Sequence, residues 1–328
     1  MGDIYNYGGL QMKNNSLKGI ILLLITAFVW GVAFVAQSSG MEHMNAFAFN
    51  SIRNMIGAIV LLPVLFVSLR KKNDTYSKDV AYDRSVRAKK SNSVFFTKHK
   101  DLLMGGLVCG TALCIASNLQ QLGMQHSTVG KSAFITTLYI VFVPIVGIFL
   151  KKKVPLQVWF GVLIAMAGLY LLCMKEETFV LSIGDIYLLL CAFFFTFQIM
   201  LVEHYVQKVN GLALSILQFF VTSIFSGICM IFTEIPSITD ISNCAIPLLY
   251  AGGISCGIGY TLQIIGQKYV PSTIASLIMS LESVIAALAG WFLLHEVLTQ
   301  KELIGCGLVF IAVLLTQIPV KSKKSIGN

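Results

Sequence analysis

Charge is what this sequence has least of: Asp, Glu, Lys and Arg make up 12% of its 328 residues, roughly half the share of a soluble domain. With 56% hydrophobic residues and a mean hydropathy of +0.79, the chain has more apolar side chain than a soluble core of this length would hold. Alternation of polar and apolar residues over strand lengths is also missing. In lipid the backbone is therefore expected to satisfy its hydrogen bonds as helices rather than as a barrel. The sequence has no G-x-x-x-x-G-K-S/T phosphate loop, so ATP is not expected to drive anything here. It has no C-x-x-C pair and no histidine cluster at zinc spacing. The eight cysteines fall in or beside apolar runs and read as small buried apolar residues, so neither a metal nor any other cofactor is expected.

What is present is a succession of apolar windows, each near the about 20 residues that a helix needs to cross a hydrocarbon core of about 30 Å. Ten are read: Leu17 to Gln37, Asn45 to Leu69, Asp101 to Leu122, Ser127 to Leu150, Leu156 to Met174, Gly184 to Tyr205, Leu212 to Phe232, Cys244 to Gly266, Ser272 to Leu294 and Glu302 to Ile318. Lys13 and Lys18 before the first window invite a signal-peptide reading. The run is long for such a segment and no Ala-x-Ala site follows it, so it is read as a span.

The formal net charge of +9 invites a nucleic-acid reading until the basic residues are located. On a ten-span topology with the N-terminus inside, twenty of the 24 Lys and Arg fall on the cytoplasmic side, in the tails, the 70–100 segment, the Lys151 to Lys153 run, Lys208 and Lys268; Lys175 and Lys301 lie outside. That bias predicts cytoplasmic termini and contact with anionic membrane lipid, and no nucleic-acid partner. The segment "RKKNDTYSKDVAYDRSVRAKKSNSVFFTKHK" lacks apolar periodicity and is expected to be a flexible cytoplasmic loop.

The two halves of the chain resemble one another. At one constant offset Gly19 lies over Gly184, Ala27 over Ala192, Asn45 over Asn210 and Arg53 over Gln218. Further on, Gln120 meets Gln263 and Gly123 meets Gly266; after one inserted residue Ser132 meets Ser276 and Gly161 meets Gly305. Residues 17–174 and 184–318 thus read as two copies of a five-helix unit, with 1–16 and 319–328 as tails. Five spans is an odd number, so the second copy enters the bilayer from the opposite side. The fold class expected is an all-α integral membrane protein of ten transmembrane helices in two inverted five-helix repeats, an architecture recurrent among secondary transporters. Gly106 with Gly110, and Gly253 with Gly257, have the GxxxG spacing expected to bring helix backbones together.

A charge near the bilayer centre costs about 2.5–3.5 kcal/mol on insertion scales, so it faces a cavity or a partner. Lys131 lies near the end of its window and can snorkel. Arg53 lies about two turns in, and Glu282 is midway along the ninth window with too short a side chain to reach water. Glu282 is therefore expected to line a central pathway, neutralised in one state by Arg53 or else by Lys131, and to be able to carry a coupling proton. Gln37, Asn118, Gln120, Gln121, Gln198, Gln218 and Gln263 add amides within or near the spans. Of these, Asn118, Gln120, Gln218 and Gln263 are expected along the substrate pathway, with Trp30, Tyr139 and Tyr260 as its aromatic walls. Catalytic motifs fail: "HEVLT" from His295 has Thr299 where a zinc protease needs its second histidine, and "GISCG" from Gly253 has no histidine deep in another span.

These residues converge on a known pattern. Through "FVWGVAF" in the first window, Arg53 in "FNSIRNMIGA" and "PSTIASLIMSLESVIAALAGWFLLHEVLTQKELIGCGLVFIAVLL" at the end, the chain resembles the EamA-type branch of the drug/metabolite transporter superfamily. The resemblance implies two five-helix repeats, a central cavity, and movement, often export, of small organic solutes such as amino acids, metabolites or drugs. It also implies that Glu282 is the glutamate of the ninth helix, Arg53 the arginine of the second, and Glu296 an acid closing the ninth. Two departures stand out. Ser283 replaces a common proline, which would remove a kink, and Lys151 to Lys153 replace an acid after the fourth helix. The expectation is a multi-pass transporter of the cell membrane working by alternating access; a membrane-embedded protease or a non-transporting receptor are the other classes weighed.

Overall fold

The computed structural model describes residues 4–79, 87–152, 154–173, 182–293 and 299–317, and every regular element in them is helical. In chain order these are α1 (Ile4–Gly40), α2 (Ala46–Asp79), α3 (Arg87–Met124), α4 (Val129–Thr137), α5 (Tyr139–Phe149), α6 (Leu156–Cys173), α7 (Ile183–Val206), α8 (Gly211–Thr233), α9 (Ile238–Asn243), α10 (Ala245–Leu249), a π-helical segment (Tyr250–Tyr260), α11 (Thr261–Gln267), α12 (Ser272–Met279), α13 (Leu281–Leu293) and α14 (Gln300–Gln317). Among the described residues, eight stretches are long and apolar enough to cross a membrane, and Leu156–Leu171 is a shorter apolar helix. The exterior is that of a lipid-embedded protein. On α1, Leu17, Ile21, Leu24, Ile25 and Phe28 are exposed while Leu23, Ala27 and Phe34 are buried, so the outward stripe is as apolar as the core and the polar groups point inward. The chain is a multi-pass membrane protein.

Several boundaries differ from the sequence reading. α1 starts well before the first apolar window, and α2 and α3 extend through most of the basic segment expected to be a loop, leaving helix on both sides of residues 80–86. Propagating a nucleated helix adds a hydrogen bond for each residue fixed, and the Lys, Arg and Ser residues there resist it only weakly. Lys175, His295, Glu296 and the 319–328 tail lie outside the described residues.

The fourth and ninth windows are each two helices in line. α4 gives way to α5 at Leu138, whose N–H bonds back three residues to the Ile135 carbonyl at 3.1 Å. Next to the break, Thr137 Oγ1 donates to the Ala133 carbonyl at 2.6 Å. α12 gives way to α13 at Ser280, with Ser280 Oγ donating to the Leu277 carbonyl at 2.7 Å and Ser276 Oγ to that of Thr273 at 3.0 Å. Hydroxyls that bond back to the preceding turn compete with the helical ladder and bend it. The interruption expected to be lost with the proline at 283 is therefore present, produced by serines. The two interrupted helices cross where they break, Thr137 Oγ1 lying 2.6 Å from Ser283 Oγ.

Two pairs of helices at matching positions of the two halves, α2 with α8 and α6 with α14, run antiparallel to one another. On α2 and α8, Asn45 Nδ2 donates to the Glu234 carbonyl at 3.0 Å, while further along α2 Ser51 Oγ donates to Ser223 O at 3.0 Å and Ser223 Oγ returns to Ser51 O at 2.8 Å. On α6 and α14, Gly161 lies against Ala312 and Thr316 whereas Gly168 lies against Gly305 and Leu308. Neighbour relations repeat as well: α3 packs on α7 as α11 and the π segment pack on α1, and α4 and α5 pack on α7 as α12 and α13 pack on α1.

The glycines matched in sequence make the two equivalent crossings. A Cβ on Gly123 would sit 2.9 Å from the Gly184 carbonyl and 2.5 Å from Leu188; one on Gly266 would sit 3.1 Å from the Gly19 carbonyl and 3.0 Å from Leu23. Of the two GxxxG pairs, Gly106 and Gly110 do seat α8, at Leu217 and Val221. Gly253 does not: its Cβ position has nothing within 4 Å, and that of Gly257 meets only ordinary contacts at 3.6 Å. Both lie in the π segment, whose wider turn carries a four-residue step off the original face. Gly252 takes over, its Cβ position 2.7 Å from the Arg53 carbonyl.

Thermal unfolding in detergent checks this. Gly123→Ala and Gly252→Ala are expected to cost about 1–3 kcal/mol through overpacking and to lower the melting temperature. Gly253→Ala, with open space beside it, is expected to leave the melting temperature unchanged or raise it slightly.

Candidate functional site

At the centre of the bundle the helices line a small, partly open cavity. α1 contributes Trp30, Phe34 and Gln37; α2 contributes Arg53, and α3 Gln120. Thr136 and Tyr139 flank the α4–α5 break, and Phe195, Gln198 and Ile199 come from α7. The far wall is Ser255 and Tyr260 of the π segment, Gln263 of α11 and Glu282 of α13.

Local structure accounts for the position of each charge. The break at Ser280 starts a new helix at Leu281, which puts Glu282 in its first turn, where the helix dipole favours a carboxylate. Glu282 is 3% exposed, and its Oε1 accepts from the Tyr139 hydroxyl at 2.9 Å; Tyr139 itself begins α5 just beyond the other break. Arg53 is 2% exposed. Its Nη1 donates to Gln37 Oε1 at 2.5 Å, Gln37 being oriented by its own Nε2 donating to the Ala33 carbonyl at 3.2 Å. The guanidinium also lies 5.7 Å from the Phe49 ring centroid, near the distance at which a cation and an aromatic face attract. Gly252 lets the π segment come against α2 at this level.

Arg53 and Glu282 share the cavity without pairing. The ion pairs among the described residues are Lys131 with Asp185 at 2.7 Å, and Lys152 with Glu203. Lys131, weighed as a counter-ion for Glu282, thus bonds to Asp185 at the start of α7, a residue that also closes a capping box with Ser182. At the other end of α7, Glu203 binds Lys152 and accepts from Ser272 Oγ at 2.6 Å, joining the end of α5 to the start of α12.

Of the nine residues expected along a pathway, seven line the cavity: Glu282, Arg53, Gln263, Gln120, Trp30, Tyr139 and Tyr260. Asn118 and Gln218 do not. Asn118 Nδ2 donates to Ser226 Oγ and to the Cys114 carbonyl, both at 2.8 Å, and its Oδ1 accepts from Asn50 Nδ2 at 2.9 Å. Its hydrogen bonds go to α2, α8 and its own helix, the behaviour of an amide that joins spans. Gln218 is fully buried on α8. The sequence reading missed Phe34, Thr136, Phe195, Ile199 and Ser255, and named Gln37 and Gln198 only as amides within spans. The internal repeat carried a signal for one of them, Phe195, through Trp30. The offset that lays Gly19 over Gly184 lays Trp30 over Phe195, Phe34 over Ile199 and Ala33 over Gln198, while Gln120 and Gln263 were already matched. Three matched pairs, Trp30 with Phe195, Phe34 with Ile199 and Gln120 with Gln263, thus line the cavity, whereas Ala33 and Gln218, the matches of Gln198 and Arg53, do not.

The lining includes one acid, one base, four amides and several aromatic rings, with no histidine. Ser255 has no base beside it to activate it, and among the described residues no group of His, Cys, Asp and Glu is placed to hold a metal ion. The arrangement is suited to binding a solute.

The bond from Tyr139 to Glu282 is open to a double-mutant cycle on thermal stability. Tyr139→Phe leaves a buried carboxyl short of a donor, at about 1–3 kcal/mol. In a Glu282→Gln background the same change is expected to cost clearly less.

Similarity to known proteins agrees with this picture. Residues 17–174 and 182–318 match the model of the EamA-like transporter family. An uncharacterized transporter of Archaeoglobus fulgidus is 28% identical over 306 residues, covering 91% of this chain and 85% of its own length. The uncharacterized transporter YwfM of Bacillus subtilis is 23% identical over 320 residues, covering 96% and 98%. A protein of known crystal structure superposes with a TM-score of 0.68 over 91% of this chain and 96% of its own, at 13% identity, which speaks to fold alone. The chain belongs to the EamA-like transporter family.

Proposed function

We propose that this protein is a secondary transporter that moves small organic solutes by alternating access between two inverted five-helix repeats, ten spans in all. The observation that carries the reading is the central cavity, lined from both halves and holding a buried acid and a buried base that do not pair with each other. On this reading α6 and α14, which pack antiparallel, are the fifth and tenth spans. The antiparallel course of α2 and α8 supports the inversion, since helices at matching positions then cross the bilayer in opposite senses. The interrupted helices α4–α5 and α12–α13 meet at the cavity, as discontinuous helices do at transporter binding sites.

Glu282, Arg53, Gln120, Gln263, Trp30, Tyr139 and Tyr260 line the substrate pathway on this reading. Asn118 holds spans together through its bonds to Asn50 and Ser226, and Gln218 lies buried on α8 away from the cavity. The excess of Lys and Arg on one set of loops supports cytoplasmic termini in the cell membrane, with the solute and the lipids as partners. An ion gradient or the solute's own gradient drives movement, export being the favoured direction, and Glu282 is the group able to carry a coupling proton. Lys131–Asp185 and Lys152–Glu203 tie α4–α5 to opposite ends of α7, and one of the two is expected to open in each half of the cycle.

Reconstituted vesicles test the reading. Glu282→Gln is expected to lower solute flux at least tenfold. Single cysteines placed beside Glu282 in a cysteine-free background should react with a water-soluble reagent. Unchanged flux together with unreactive cysteines would remove the pathway.

A further inference from the structure

The offset that lays Trp30 over Phe195 also lays Arg53 over Gln218, and the fold builds these two positions alike. α2 and α8 begin with the same cap: Asn45 Oδ1 accepts from the Ala48 N–H at 2.8 Å, and Asn210 Oδ1 from those of Leu212 and Ala213 at 2.9 and 3.1 Å. Arg53 and Gln218 stand equally far beyond their asparagines. Each is crossed by a glycine of a neighbouring span. A Cβ on Gly252 would lie 2.7 Å from the Arg53 carbonyl, and one on Gly110 would lie 2.8 Å from the Gln218 carbonyl. The same backbone arrangement therefore occurs once in each half.

The two side chains differ in what they meet. Arg53 reaches the cavity and bonds to Gln37. Gln218 is fully buried outside the cavity, and neither its Nε2 nor its Oε1 has a partner. Buried polar groups are nearly always paired, and an amide within a span normally bonds across to another helix. An apolar residue of similar size would fill this space without leaving a donor and an acceptor unsatisfied. The cavity is close by: Phe219 packs edge-on against Tyr260, ring centroids 5.9 Å apart, and Tyr260 lines the cavity.

Antiparallel packing sets the depth. Ser51 on α2 faces Ser223 on α8, so the helical rise puts Gln218 about 5 Å past the level of Arg53, towards the start of α8. Glu203, near the end of α7, lies at that same end of the bundle, where Lys152 and Ser272 bind it. When two related halves inserted in opposite senses rock about a shared site, a position that one half presents in one access state has its counterpart presented by the other half in the opposite state.

We propose, resting on the transport reading above, that Gln218 is a solute-contacting residue of the opposite access state: when the Lys152–Glu203 end opens, Gln218 enters the pathway in the place that Arg53 holds in this structure. There its amide offers donors and an acceptor where the guanidinium offers charge and donors only, and both free atoms gain a partner in the solute or in water. The two halves of the pathway are thus chemically unequal, one carrying a fixed positive charge and the other a neutral amide. An amide left unpartnered while it is buried also destabilises the closed arrangement, which favours opening at that end.

The test uses single cysteines in the cysteine-free full chain, in membrane vesicles of both orientations, with a membrane-impermeant sulfonated maleimide as the probe. Gln218→Cys is expected to react at least tenfold faster from the face of the Lys152–Glu203 pair than from the other face. It should also react at least tenfold faster than Ile216→Cys, a buried position on a different side of α8. Glu203→Gln, which breaks that pair, is expected to raise the Gln218→Cys rate at least threefold, whereas Asp185→Asn, which breaks the Lys131 pair at the other end of α7, should lower it. Where Gln218→Cys does not fold, Ser215→Cys, one turn nearer the same end on the same side of α8, carries the same expectations. A rate equal to that of Ile216→Cys in every background overturns the inference. So does a rate that is the same from both faces or that Glu203→Gln leaves unchanged. Cysteines beside Glu282 decide separately on the transport reading: if they react while Gln218→Cys does not, the cavity remains a pathway and only the role of Gln218 falls, and if none reacts, both fall.

Discussion

A polar group in the hydrocarbon layer has no water to turn to, so every carboxylate, guanidinium and backbone carbonyl must find its partner inside the protein. Much of this structure follows from that constraint applied at one place, the crossing of the two interrupted helices. Next to each break a hydroxyl bonds a carbonyl of the preceding turn, Thr137 that of Ala133 and Ser280 that of Leu277, and Thr137 and Ser283 bond to each other where the helices cross. The same crossing places Tyr139 beside Glu282, so the acid that the sequence puts in mid-membrane has a donor waiting. Without the breaks, Glu282 would lie within a continuous helix rather than in the first turn of a new one.

Close helix contact makes the rest of the cavity possible. Gly19 with Gly266, and Gly123 with Gly184, allow two equivalent backbone crossings, which draw α1 and α7 inward to present Trp30, Phe34, Phe195 and Ile199 from opposite sides. In a membrane this packing cannot rely on a hydrophobic force between helices and depends on van der Waals fit and interhelical hydrogen bonds. The Asn50–Asn118–Ser226 network and the paired Ser51–Ser223 bonds supply the latter. The polar residues thus divide into those that hold the bundle together and those that face the cavity, and the division is by partner rather than by residue type.

Much of this was legible in the chain. Nine of the ten expected windows coincide with long or shorter apolar helical stretches, because a run of about 20 apolar residues has few alternatives to a helix. Glu282 and Arg53 stood out because burying charge is costly. The repeat found Gln120 with Gln263, and applied once more to Trp30 it would have found Phe195. The failures share a cause. Asn118 and Gln198 are both amides within spans, yet one is consumed by helix contacts and the other faces the cavity. Gly253 and Gly257 have the contact spacing, but the π turn rotates them away.

The sequence by itself determined that the chain lives in a membrane, that its two halves are related, and that an acid and a base are buried near its middle. These are properties of composition, periodicity and position, each readable along one dimension. Only the tertiary structure decided that Arg53 bonds to Gln37 rather than to Glu282, that Lys131 is taken by Asp185, and that serines rather than a proline interrupt the ninth span. Those outcomes depend on which side chains arrive within about 3 Å of one another, and that is set by how helices far apart in the chain cross.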